Sequence, residues 1–126
     1  MRSILNLTQH AATEDQIAAG VVEPKDKIRI AALLTFETLP TRGDIMERAD
    51  ALARIAASEV YGAALIGGAP YLMSPLEAAL THLGIVPFYA FSLRDSVEEK
   101  MPDGSMRKTQ LFRQVGFVRG VYDVED

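Results

Sequence analysis

The sequence predicts an α/β domain: a Rossmann-like, mainly parallel sheet flanked by helices and closed by a C-terminal β-hairpin. Three observations predict it. Short apolar runs suited to strands, "SILNL" at 3–7, "AALIG" at 63–67 and "IVPFYAFSL" at 85–93, alternate with segments of helical pattern. Strands separated by helices call for right-handed crossovers, and so for parallel pairing with both faces of the sheet covered. The chain then ends in "SVEEKMPDGSMRKTQLFRQVGFV", two extended stretches around an Asp-Gly turn. Its 126 residues suffice for one core, and no linker, repeat or low-complexity tract divides 1–126.

Taken in order, "SILNL" opens the sheet and ends in the polar turn "TQH". In "TEDQIAAG", Thr13 fits an N-cap, Glu14 and Asp15 sit in the first turn, Gln16 completes a capping box and Gly20 is a stop. "EPKDKIRIAALLTF" reads as a helix with Pro24 at its first position and Ile28, Ala31, Ala32 and Leu34 or Thr35 on one face, although "KIRIAALLTF" also alternates as a strand would. "TRGDIMERADALARIAASEVYG" is the clearest helix: Ile45, Ala49, Leu52, Ala56 and Val60 share a face and Gly62 closes it. "AALIG" is a buried strand. "SPLEAALTHLG" is a helix with Ser74 and Pro75 at its start and Gly84 at its stop. "IVPFYAFSL" is a third strand, with Pro87 tolerated near its beginning.

Composition narrows the chemistry. Hydrophobic residues make up 48% and charged residues 24%, as in an ordinary globular protein. The net charge of −4 argues against a long nucleic acid, which needs many phosphates neutralised, but leaves room for a local basic pocket that takes a small nucleotide. Residues 94–119 do hold six basic residues against four acidic ones, which a solvated hairpin face also accounts for. There is no cysteine, and His10 and His82 lack metal-site spacing, so neither disulfide, metal nor cofactor is expected. No run is long enough to span a membrane, and "MRSILNLTQH" has too short an apolar core for a signal peptide, so a cytoplasmic location is expected.

In open α/β sheets, ligands bind beyond the carboxyl ends of the parallel strands. The first strand should deliver Thr8, Gln9 and His10 to that edge, the second Gly67 and Gly68, the third Ser92 and Arg94. In "IGGAPYLM" at 66–73, glycine lets a ligand approach the backbone, and the helix start that follows offers free N–H donors to an anion. The same glycines serve equally as a tight turn, and "GGAP" has neither dinucleotide-binding nor P-loop spacing. His10 suits proton transfer or a loop hydrogen bond, His82 suits a helix C-terminus, and Tyr71 and Met73 suit the core or an interface. No serine-hydrolase elbow, zinc-protease motif or carboxylate cluster appears. Hydroxyls, an imidazole, an arginine and backbone donors suit phosphate oxygens. They could hold a nucleotide, or align a ribose hydroxyl for attack on its neighbouring phosphodiester.

These motifs together bear a family likeness. "LTQHAATEDQIAAG", "LIGGAPYLMSPLEAALTHLGIVPFYAFSLRDSVE" and "DGSMRKTQLFRQVGFV" resemble the small stand-alone CRISPR-associated Rossmann-fold (CARF-like) ring nucleases. The likeness covers the first twenty residues and roughly 60–118, including "G-I-x-P-x-Y-A" at Gly84–Ala90 and "F-x-x-V-x-F" at Phe112–Phe117. It implies a homodimer that cuts a cyclic oligoadenylate, the second messenger of an antiviral defence, to linear products without metal. Matching positions put Thr8, Gln9, His10, Gly67, Gly68, Ser92 and Arg94 around the phosphates. Non-catalytic nucleotide sensing or sequestration, or a phage or accessory interaction domain, would fit the same fold. The sequence departs from the family pattern in the Pro70 and second glycine of "IGGAPYLM" and in the longer 23–36 segment.

Overall fold

The computed structural model describes residues 3–120. Its elements run β1 (Ile4–Asn6), α1 (Glu14–Ala18), β2 (Val21–Val22), α2 (Lys27–Leu34), α3 (Arg42–Ser58), β3 (Ala63–Leu65), α4 (Pro70–His82), β4 (Val86–Lys100) and β5 (Met106–Arg119). The sheet has the order β2-β1-β3-β4-β5, with β2, β1, β3 and β4 parallel and β5 antiparallel to β4. The α/β class and the mainly parallel sheet therefore stand as the sequence predicts, with β2 as a strand that the pattern does not announce.

Side chains alternate across the sheet. Leu5, Leu7, Ala64 and Ile66 pack with Ile30 and Leu34 of α2, Leu52, Ala53 and Ala56 of α3, and Leu72, Leu76 and Leu80 of α4. Burying each leucine there contributes about 1.5–3 kcal/mol. The other face holds a smaller cluster of Ile4, Val21, Ala63 and Leu65 beneath Ala12, Phe88 and Phe117. The sheet is thus flanked by helices as the sequence predicts: α2, α3 and α4 pack on the larger cluster, while Ala12, Phe88 and Phe117 lie over the smaller one, near α1, which buries no residue of its own.

Capping explains most helix limits. Thr13 accepts from the Gln16 N–H while Gln16 accepts from the Thr13 N–H, the predicted box, and Thr41 and Asp44 form a second one that opens α3. Three expectations shift. Helix α2 starts at Lys27 with Asp26 as cap, so Pro24 precedes it; the buried face is Ile30 and Leu34, and Ile28 is exposed. Helix α3 ends at Ser58, leaving Val60 outside, exposed and with a φ of 57°. Helix α4 begins at Pro70, four residues before Ser74, so Pro75 lies within it. Pro70, at the first helical position, costs no intrahelical bond, whereas Pro75 lies past the first turn and forfeits the N–H that would have met the Tyr71 carbonyl.

The third strand and the first hairpin strand prove to be one. β4 runs unbroken from Val86 to Lys100, with a bulge that leaves Val115 of β5 extra opposite Phe91 and Ser92. The turn is the predicted "PDGS": Gly104 has a φ of 86°, and Asp103 accepts from the Ser105 N–H at 2.8 Å.

Candidate functional site

β1 and β3 end side by side, with Asn6 in register with Leu65 and the Leu7 N–H donating to the Leu65 carbonyl at 2.8 Å. The loop after β1 is organised by Asn6, which is buried in an otherwise apolar strand. Its Nδ2 donates to the His10 carbonyl at 2.8 Å and to Glu23 Oε1 at 2.7 Å. Its Oδ1 accepts from the Thr8 N–H at 3.1 Å and from Thr8 Oγ1 at 2.7 Å. Both amide hydrogens and both oxygen lone pairs are thus used, which is the full capacity of the group. Lys27 Nζ donates to the carbonyls of Thr8 and His10 at 2.7 and 2.9 Å and lies 3.6 Å from Glu23. Glu23 also accepts from the Ala12 N–H at 3.0 Å. Desolvation pushes the Glu23 carboxyl upward, but the bonds from Ala12 and Asn6 and the charge of Lys27 outweigh it and hold the group below its ordinary range.

The turn after β3 lies against this loop. A methyl added at Gly67 would stand 3.7 Å from Thr8 Cγ2, and one at Gly68 3.5 Å from Met73 Cε. Gly68 adopts a φ of 153°, which side-chain-bearing residues rarely take. The helix then starts at once: Ala69 is its N-cap and supplies no side-chain hydrogen bond, and Pro70 has no N–H. In this first turn the Leu72 N–H donates to the Ala69 carbonyl at 3.0 Å, so the Tyr71 amide is the one a side-chain cap would have served. In that turn, Tyr71 is half exposed. Its ring meets Phe36 edge-on at 5.4 Å, and the Arg48 guanidinium lies 4.3 Å from the centre of the Phe36 ring. Arg48 in turn donates to the carbonyls of Ala32, Leu33 and Thr35, closing the C-terminus of α2.

The third segment is more distant. β3 pairs with β4 only as far as Phe88, and Ser92 lies four residues further along, roughly 13 Å at strand rise. Ser92 pairs with Gln114, whose side chain accepts from Gln16 Nε2 of α1 at 3.2 Å, so this part of the hairpin is tied to the helix that follows the Thr8–His10 loop. Arg94 takes its backbone place in β4 opposite Phe112, and its side chain lies outside what the structure describes. Gln9 and His10 are exposed. The structure thus sets Gly67 close to Thr8 and Gly68 just before the start of α4, and puts Ser92 on a neighbouring ribbon.

Sequence reasoning passes over Asn6, Glu23, Lys27, Phe36 and Arg48. A signal existed for the first three: one amide inside "ILNL", and the polar "EPKDK" that follows β2. Tyr71 lies outside the core, half exposed against Phe36, whereas Met73 is buried as expected. A hollow of about 680 Å³ lies between α2 and α3. Its rim mixes Arg29, Arg48 and Arg54 with Glu47 and Asp50, and Asp50 is ion-paired to Arg54 at 2.9 Å. Size favours that groove, but its charges are largely balanced and its walls are ordinary helix surface. The strand edge has the backbone donors and the ordered loop. On β4, one residue past the Leu65–Phe88 pair, burial and then the Glu77 carboxylate push the Tyr89 phenol well above its ordinary range; the phenol donates to Glu77 and ties β4 to α4.

No curated protein and no solved structure matches the chain. The family described as "Uncharacterized protein MJ1673 family" matches residues 2–118, a span that includes the Thr8–His10 loop, the glycine turn, Ser92 and Arg94. By that match, the chain belongs to the MJ1673 family.

Proposed function

We propose that the protein binds a cyclic oligoadenylate at the carboxyl edge of its sheet and opens the ring as a metal-independent phosphodiesterase. The observation that carries the reading is the closeness of Gly67 to Thr8, whose Cγ2 would lie 3.7 Å from an added methyl, beside a helix start that has no side-chain cap. That combination supplies an ordered polar loop beside an uncapped helix start, with the Tyr71 N–H as its donor, at the place where α/β sheets take ligands. The likeness of "LTQHAATEDQ" and "GIVPFYA" to ring nucleases supplies the substrate class. In this reading, Arg94 and the backbone of Gly67 and Gly68 hold phosphate, Thr8, Gln9 and Ser92 orient it, and His10 takes or gives a proton. A ribose 2′-oxygen bonds to the neighbouring phosphorus as the P–O5′ bond breaks. The hydroxyl proton passes to a base, and a proton reaches the departing 5′-oxygen. Such a step depends on alignment and charge stabilisation more than on a strong base.

One observation favours a second reading, binding without cleavage. His10 sits on the β1 loop, while Ser92 stands on the hairpin some 13 Å of strand beyond Phe88. Incubating the protein with cyclic tetra-adenylate in EDTA separates the two. Linear products support hydrolysis, an intact ring held tightly supports a sensor, and no binding in calorimetry overturns both. Arg94→Ala should weaken binding by about 1.5–3 kcal/mol if the guanidinium makes a charge-assisted phosphate bond. Unchanged affinity would remove Arg94 from the site.

A further inference from the structure

Tyr71 keeps 49% of its surface exposed, yet its ring is held from one side. It meets Phe36 edge-on, and the Phe36 ring carries the Arg48 guanidinium at 4.3 Å. Arg48 is anchored in turn on the carbonyls of Ala32, Leu33 and Thr35. A surface tyrosine without such backing samples several rotamers, whereas this chain of contacts favours one. Placement adds to that. A methyl at Gly68 would stand 3.7 Å from Leu34 Cδ2, so the end of α2, which leads to Phe36, borders the glycine turn. In a helix the Cα–Cβ bonds tilt toward the N-terminus, so a ring in the first turn of α4 leans back toward that turn.

We propose, on the reading of this edge as a nucleotide site, that Tyr71 recognises a base, its ring stacking on an adenine of the cyclic oligoadenylate. The phosphate and the base of one nucleotide are joined through a single ribose. A residue that serves both must therefore offer two kinds of contact close together. Tyr71 does: its N–H is the donor that no side chain caps, and its ring stands beside it. Stacking uses the π-face and has no need of the hydroxyl. Thr8, Gln9, Gly67 and Gly68 carry no ring. His10 does, but it is tied into its loop through its backbone N–H and carbonyl, so its imidazole is not held as the phenol is. A ring already fixed in place loses little freedom when a base settles on it, which favours Tyr71.

The test is calorimetry with cyclic tetra-adenylate as the probe. Tyr71→Phe keeps the π-face and should bind as the wild type does. Tyr71→Leu keeps apolar bulk against Phe36 but has no π-face, and should weaken binding about 5- to 100-fold, the worth of one stacked base. Its urea denaturation midpoint should stay near that of the wild type. The chain has no tryptophan, so Tyr71→Trp provides a signal of its own. Its emission should be quenched as cyclic tetra-adenylate saturates the site, and inorganic phosphate should leave it unchanged. Wild-type affinity in Tyr71→Leu, an equal loss in Tyr71→Phe, or tryptophan emission indifferent to bound cyclic tetra-adenylate overturns the inference while the nucleotide reading stands. A wild type that does not bind cyclic tetra-adenylate overturns both.

Discussion

Asn6→Ala removes the side chain that shapes the Thr8–His10 loop. Four hydrogen bonds go with it, three to Thr8 and His10 and one to the Glu23 carboxylate. At about 0.5–1.5 kcal/mol for each neutral bond and 1.5–3 for the charged one, a simple sum would be about 3–7.5 kcal/mol. The true loss is smaller, because Lys27 still holds the Thr8 and His10 carbonyls and Thr8 can turn to water. We expect a destabilisation of about 2–4 kcal/mol, the range of a broken buried network. Urea denaturation at neutral pH measures it, with the slope unchanged if only the native state is affected.

The same variant has a pH signature. Glu23 is held below its ordinary range in the folded protein, so its contribution to stability is present above the unfolded carboxyl value and is lost as pH falls through the lowered folded one. In the wild type, the denaturation midpoint should therefore drop as pH falls below about 4.5. Without Asn6 one of the bonds that lowers Glu23 is gone, and that part of the acid dependence should flatten. A variant within 0.5 kcal/mol of wild type, with the same acid profile, would refute the view that Asn6 holds this loop.

Two further substitutions probe backbone and packing. Val60 is exposed and holds a φ of 57°, which costs a β-branched residue about 1–2 kcal/mol, so Val60→Gly should raise stability by about 0.5–1 kcal/mol in the same assay despite glycine's greater chain entropy. A methyl at Gly120 would stand 2.7 Å from Glu77 Oε1 and 2.9 Å from Pro87 Cγ, so Gly120→Ala should destabilise by about 1–3 kcal/mol, and a neutral result would show that α4 and β4 can part there at no cost.

The fold was legible in the sequence wherever one local rule acted alone. The Thr13 and Gln16 box, the "PDGS" turn and the Ala49, Leu52 and Ala56 face all depend on neighbours a few residues away. Errors arose where a longer context decided. Pro75 looks like a helix start, but the first turn had already begun at Pro70, where a tight glycine turn leaves no spacer. β2 has two residues and exists only because β1 pairs with it. The hairpin strand merges with β4 because β5 follows it for its whole length, a pairing that no local pattern displays. At the site, the loop residues and glycines were legible as types suited to phosphate. Their scaffold was not, because Asn6, Glu23 and Lys27 meet only through the fold, and Arg48 reaches the end of α2 from α3.

The central claim is that something anionic binds where the β1 loop meets the glycine turn, and amide chemical-shift mapping with cyclic tetra-adenylate tests it most directly. The account predicts the largest shifts at Thr8, Gly67, Gly68, Ala69 and Tyr71, saturating with ligand. Shifts confined to the groove of Arg29, Glu47 and Arg54, or none at all, would contradict it.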